Sequence, residues 1–132
     1  MIARKHRFHG YASLRYVYRN GTVVRGQSGT LKYARNSRRK NYRVAVVVSK
    51  KVSKSAVVRN RIRRRIYEAV RVNIVADEPY DLVFTVFSDQ VAEMPASELW
   101  TDVVKKLRAA CITTKPAPEP PQHDIVDTNK EK

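Results

Sequence analysis

Apolar positions recur along this chain with two periods, and the switches between them mark out its elements. In YASLRYVYR, residues 11–19, Tyr11, Leu14, Val17 and Tyr18 fall at helical spacing, and Asn20-Gly21 supplies a stop, so a short helix is expected. From Thr22 to Arg35 the pattern is that of one or two short strands broken near Gly26 to Gly29, with Leu31 and Tyr33 alternating against Lys32 and Ala34. NSRRKN, residues 36–41, reads as a polar turn. YRVAVVVS, residues 42–49, is β-branched and apolar on both faces, as in a central strand. Between Ser53 and Val75 the period lengthens. Ser53 or Ser55 is placed to cap a helix on which Val58, Ile62, Ile66, Ala69 and Val70 form one stripe. Asn60, Arg64 and Arg71 point away from that stripe, and Arg61 and Arg63 lie on its shoulders. Asp77 and Pro79 end the segment, and YDLVFTVF, residues 80–87, is a second strand apolar on both sides. After Pro95, Leu99, Trp100, Val103, Val104 and Leu107 give the run from Ala96 to Cys111 an amphipathic helical face.

This order predicts a small α+β sheet with its helices on one face and a strand, basic helix, strand crossover, for which pattern alone favours the common right hand. Residues 1–114 form one domain in this reading. The segment from Lys115 to Lys132 has four prolines and only Ile125 and Val126 as bulky apolar residues, and is expected to be a disordered tail. A chain of 132 residues with 42% hydrophobic content leaves no room for a multidomain enzyme, yet is long enough to fold without disulfide or metal. The single cysteine, Cys111, and the lack of a zinc-type Cys/His spacing agree. No apolar run approaches the length of a membrane span and the basic N-terminus lacks a signal-peptide core, so a soluble cytoplasmic protein is expected.

Charge changes the picture most. Residues 1–76 hold 21 Lys and Arg and one acid, Glu68, a balance of +20, whereas residues 77–132 hold 6 basic and 11 acidic residues, a balance of −5. A half-chain at +20 repels itself unless a polyanion neutralises it, and counterions released from that polyanion drive association. Nucleic acid is the first expectation. An anionic membrane is the runner-up, but membrane-surface segments combine their charge with bulky apolar residues on one amphipathic helix, whereas here the basic residues are interleaved with strand and turn signals.

Catalytic candidates are scarce. His6 and His9 lie near the terminus and His123 in the proline-rich segment; no Ser/His/Asp or Cys/His set, phosphate-cradling glycine loop or carboxylate cluster in the basic half is visible. Glu68, three or four residues from Arg64 and Arg71, reads as a helix-surface ion pair before it reads as a general base. The dense feature is VSKKVSKSAVVRNRIRRRIYEAVR, residues 48–71, where Lys50, Lys51, Lys54, Arg59, Arg61, Arg63, Arg64, Arg65 and Arg71 crowd together. Arginine matters there beyond its charge, because a planar guanidinium can fork onto phosphate oxygens.

VSKKVSKSAVVRNRIRRRIYE closely resembles the RNR signature of the bacterial ribonuclease P protein family, and LRYVYRNG, the VVVSKK strand and YDLVFTV extend the resemblance over about residues 4–112. The resemblance implies an α+β sandwich like a ribosomal-protein domain: a small mixed sheet of about four strands, three helices and a left-handed βαβ crossover through the RNR helix. It implies that Lys50, Lys51, Lys54, Arg59, Asn60, Arg61, Arg63 and Arg64 contact the catalytic RNA of ribonuclease P, and that Mg2+ is held mainly by that RNA. It also implies a cleft for the single-stranded 5′ leader of precursor tRNA at Leu14, Tyr18 and Tyr33, although pattern alone makes these tyrosines ordinary core-edge residues. Leu14 stands where the family has an aromatic, Ser53 where it has a glycine, and Tyr67 where it often has an arginine. The implied activity is tRNA 5′ maturation, with the chemistry on the RNA and a protein that is monomeric apart from the RNA complex. The rival reading is a ribosomal or general RNA-chaperone protein using the same basic face.

Overall fold

The two periods resolve into helix α1 (Tyr11–Asn20), strands β1 (Thr22–Arg25), β2 (Gly29–Arg35) and β3 (Arg43–Val47), helix α2 (Ala56–Asn73), strand β4 (Tyr80–Val86) and helix α3 (Ala96–Ala109). Two 3-10 turns, Arg4–His6 and Asp89–Ala92, are too short to carry a periodic signal. This computed structural model describes residues 4–8, 11–26, 28–75, 78–110 and 112; Cys111, His9, His123 and the expected tail lie outside them. Among the described residues no helix is long and apolar enough to cross a membrane.

The four strands form one mixed sheet in the order β1-β2-β4-β3. β2 runs antiparallel to both β1 and β4, while β3 and β4 are parallel and joined through α2. Gly29 makes the β2–β4 pairing possible at its end, because a Cβ there would fall 2.1 Å from the Thr85 carbonyl oxygen. The outer edge of β3 is met by the N-terminal segment, where Arg7 bridges to Val44 and the Phe8 N–H donates to the Val44 carbonyl at 3.3 Å.

Strand alternation assigns every sheet residue to a face. Leu31, Val44, Val46, Leu82, Phe84 and Val86 project to one side and meet Ile62 and Ile66 of α2 and Leu99, Val103 and Leu107 of α3 in a single core. Lys32, Val83 and Thr85 project to the other side, where Tyr18 of α1 reaches Thr85 and Lys32. The expectation of helices on one face is therefore corrected: α2 and α3 cover one face and α1 the other. The reason lies in β4, whose residues Leu82, Val83 and Phe84 are all buried, so both faces of the sheet need a cover.

Helix α2 begins where the sequence suggests. Ser55 is the cap and its hydroxyl accepts from the Val58 N–H at 3.2 Å, while the Ser53 hydroxyl accepts from the Ser55 N–H at 3.2 Å. The expected stripe is buried or packed on the core, and it gains one polar member, Asn73, whose amide N–H donates to the Ala69 carbonyl at 2.8 Å.

One ion pair lies inside the α1 side of the sheet. Arg43 and Asp81 are register partners on β3 and β4, and the guanidinium donates through Nε and Nη2 to the two carboxylate oxygens at 2.9 Å each. Their side chains are 4% and 5% exposed. The Asn36 amide adds a third donor to Asp81 at 2.9 Å, and Phe8 lies against the guanidinium with its ring centroid 4.5 Å from Cζ. Removing one partner strands the other charge in a dry site, which costs about 3 to 5 kcal/mol. Asp81→Ala is expected to lower unfolding stability by that amount in urea titration, whereas Arg43→Met with Asp81→Leu, which leaves no stranded charge, is expected to restore most of it.

Candidate nucleic-acid interface

The arginines of α2 divide into stripes, because positions three and four apart share a side of a helix. Ile62, Ile66, Ala69 and Val70 face the core. Arg61 and Arg65 face the Asp89–Ala92 turn: Arg61 Nε donates to the Ala92 carbonyl at 2.8 Å, and Arg65 donates through Nη1 to the Val91 and Ala92 carbonyls at 2.7 and 3.1 Å and through Nη2 to the Met94 carbonyl. Val91 and Ala92 end that turn and Met94 follows it, so Arg65 is the clasp between α2 and the segment from Val91 to Met94. Asn60, Arg63, Arg64 and Tyr67 face the other way. With Arg7, Phe8 and Val57 they line an open groove of about 720 Å³, to which no carboxylate contributes. Within it Arg63 donates to the Asn60 side-chain oxygen, which orients both.

The remaining residues predicted to touch RNA fall around the start of α2. Lys50, Lys51 and Lys54 are exposed in the turn between β3 and α2, and Arg59 folds back so that its Nη1 donates to the Ser53 carbonyl at 2.9 Å. Asn60, Arg63 and Arg64 are thus gathered in one groove, the three lysines lie on the approach to it, and Arg59 and Arg61 have part of their donor capacity committed to the fold. Sequence reasoning missed Arg7, Phe8 and Tyr67 as groove residues. The first two are brought there by a single bridge to β3, which no period announces.

The second predicted site is only partly assembled. Leu14 and Tyr18 are four residues apart on α1, and the Tyr18 hydroxyl is 3.3 Å from the Thr85 hydroxyl on the sheet. Tyr33 is not with them. Its register partner is Leu82, it packs against the α2/α3 core, and its ring meets Tyr80 edge-on at 6.2 Å, all on the opposite face. The sheet residue beside Tyr18 is Lys32, whose Nζ donates to the Tyr18 carbonyl at 2.9 Å and lies 5.1 Å from the ring centroid. The alternation of Leu31 and Tyr33 against Lys32 and Ala34 is the signal that separates them.

Glu68 pairs with Arg71 three residues on, as the helix spacing suggests. Its carboxyl is held below the ordinary range, first by the hydrogen bond from Arg71, against a smaller opposing effect of burial. It therefore stays ionised at neutral pH and is a poor proton acceptor. Among the described residues no group of three or more His, Cys, Asp or Glu side chains is placed to hold a metal ion.

Fold and groove define a class of protein: a small α+β domain whose longest helix presents forked cations, with aromatic and apolar neighbours, to a polyanion. The family model described as Ribonuclease P matches residues 2–111. The ribonuclease P protein component of Chloroflexus aggregans is 37% identical over 120 residues, covering 90% of this chain and 87% of that one. That of Chloroflexus aurantiacus is 40% identical over 84 residues, covering 63% and 62%. The RNase P protein of Staphylococcus aureus superposes with a TM-score of 0.67 at 24% identity over 80% of this chain and 94% of its own, and that of Thermotoga maritima with 0.68 at 17% over 78% and 96%, which shows the shared fold. The chain belongs to the ribonuclease P protein family, and a part in tRNA 5′ maturation follows from that membership.

The division of the arginines has a direct consequence. Arg65→Met removes a charged donor from three carbonyls, and hydrogen bonds to charged groups contribute about 1.5 to 3 kcal/mol. It is expected to lower the thermal midpoint by several degrees, while Arg64→Ala, on the open groove, is expected to leave the midpoint within a degree or two.

Proposed function

We propose that this chain is the protein partner in a ribonucleoprotein endonuclease that removes the 5′ leader of precursor tRNA in the cytoplasm, gripping the catalytic RNA with the groove of α2 and the leader with the face of α1. The observation that carries this reading is the groove itself: Asn60, Arg63 and Arg64 open onto it without an opposing carboxylate, which suits phosphate oxygens approached by guanidinium forks. Lys50, Lys51 and Lys54 extend the positive surface along the entry to the helix. The donors here are guanidinium and ammonium groups, which repel divalent cations, so Mg2+ belongs with the phosphates of the RNA in this reading. The hydrolytic step belongs there with it. The protein's share is to screen RNA against RNA and to hold substrate.

For the leader, the geometry supports a cleft of Leu14, Tyr18 and Lys32, with Tyr33 outside it. A base laid on the Tyr18 ring gains about 1 to 3 kcal/mol, and Lys32 beside it supplies a cation for the adjoining phosphate.

Reconstitution tests the whole reading. The chain added to its cognate ribonuclease P RNA is expected to restore precursor-tRNA cleavage at physiological salt, while the chain alone, freed of RNA, is expected to cut nothing; binding without restored cleavage would return the reading to a general RNA chaperone. Arg63→Ala with Arg64→Ala is expected to weaken RNA binding and flatten its log-log salt dependence by roughly one unit per lost phosphate contact, read by filter binding. Tyr18→Ala is expected to weaken holoenzyme binding of precursor tRNA by about 1 to 3 kcal/mol and leave mature tRNA unaffected. Tyr33→Ala is expected to leave that difference between the two substrates intact.

A further inference from the structure

A second basic concavity lies on the far side of the N-terminal segment from α2. The turn between β2 and β3 turns back on itself at Asn36, whose side-chain oxygen accepts from the Arg38 N–H at 3.1 Å and whose carbonyl accepts from the Arg39 N–H at 3.1 Å. This arrangement gathers Arg38, Arg39 and Lys40 opposite Lys5 and Arg7, and with Asn41 and Arg43 they enclose a hollow of about 350 Å³. No acidic side chain lines it. Asp81, the register partner of Arg43, is already held by Arg43 and Asn36. Among the described residues Lys5, Arg38, Arg39 and Lys40 form no ion pair, and three of them follow one another in sequence, so a polyanion laid across them would relieve their mutual repulsion.

Arg7 adds an independent observation. It lines this hollow and also the groove of α2, and its Nε–H is buried without an acceptor among the described residues. Because Arg7 lines both concavities, its guanidinium joins two cationic surfaces into one.

We propose that the β2–β3 turn and the N-terminal segment form a second phosphate-binding site for the backbone of the partner RNA, made continuous with the groove of α2 through Arg7. The proposal rests on the reading of the chain as an RNA-gripping subunit and adds a place where that grip extends. A strand lying on Arg63 and Arg64 passes Arg7 at the edge of β3 and delivers its next phosphates to Arg38, Arg39 and Lys40. The site is built from backbone turns and a sheet-edge bridge, so it recognises the spacing of phosphates and no base.

The test is a salt titration of the full chain against its cognate ribonuclease P RNA. Arg38→Ala, Arg39→Ala, Lys40→Ala together are expected to make the log-log slope shallower by roughly two to three and binding roughly tenfold or more weaker. All three side chains are exposed, so the melt should not change; if the triple variant does not fold, the single Arg39→Gln chain is expected to lose about one unit of slope. A slope and affinity equal to those of the parent chain overturn the proposal. Arg63→Ala with Arg64→Ala is run alongside: an altered slope there with an unchanged one in the turn variant sinks this site and spares the α2 groove, and the converse supports this site while sinking the groove. A turn variant that keeps its RNA slope but loses attachment to phosphatidylglycerol vesicles assigns the hollow to a membrane surface and overturns the proposal equally.

Discussion

Everything in this fold is referred to β4, a strand hydrogen-bonded on both edges, whose Leu82, Val83 and Phe84 are buried on both faces of the sheet. Its antiparallel ladder to β2 and parallel ladder to β3 fix the register of the sheet. A shift of one residue would exchange the faces of every side chain. Leu82, Phe84 and Val86 then lie under α2 and α3, while Asp81, Val83 and Thr85 lie on the side of α1. From that single alternation follow the seat of the arginine-bearing helix, the place where Tyr18 meets the sheet, and the depth at which Asp81 must be neutralised by Arg43. The parallel pairing of β3 and β4 matters for the site as well, because it obliges the chain to cross over between them. The crossover is the basic helix itself, held across the core by its own apolar stripe.

Much of this was legible in the sequence, and the part that was not has a common cause. The periods placed all three helices and the four strands to within a few residues, and the dense run of Lys and Arg at residues 48–71 falls on α2 and the turn that leads into it. What failed was assignment of side. Helices were expected on one face because each amphipathic stripe, taken alone, asks only for some apolar partner. The buried Val83 between Leu82 and Phe84 was the sign that the second face also needed a cover. Tyr33 illustrates the same point more sharply. Family resemblance placed it beside Tyr18, but its parity with Leu31, visible in the sequence, sends it to the core, and Lys32 takes the position next to α1. Where a strand's alternation and a resemblance disagree by one residue, alternation has the stronger physical warrant, since a pleated strand cannot point neighbouring side chains the same way.

Long-range contacts made through backbone were illegible for a different reason. The bridge from Arg7 to Val44 and the carbonyls of the Asp89–Ala92 turn involve no side-chain pattern in the segments concerned. Their partners in α2 looked like members of one uniform basic run. Arg61 and Arg65 differ from Asn60, Arg63 and Arg64 only by their angle about the helix, and that angle acquires meaning only once the turn and the N-terminal segment are in place.

This division explains why the run is made of arginine. A lysine ammonium can serve a phosphate as a point charge, but it cannot hold three carbonyls from one planar group, as Arg65 does with Val91, Ala92 and Met94. Nor can it donate from Nε to one carbonyl and keep a terminal fork, the geometry open to Arg61. The same residue type therefore fastens the helix to the protein on one side and offers forked donors on the other. The two roles constrain each other: the buried stripe of Ile62, Ile66, Ala69 and Val70 sets the rotation of α2 about its axis, the clasp reinforces it, and that rotation aims Asn60, Arg63 and Arg64 at the groove beside Arg7. The clasp and the groove thus lie on opposite flanks of the core stripe of one helix, and the cations left over are those that the fold itself does not use.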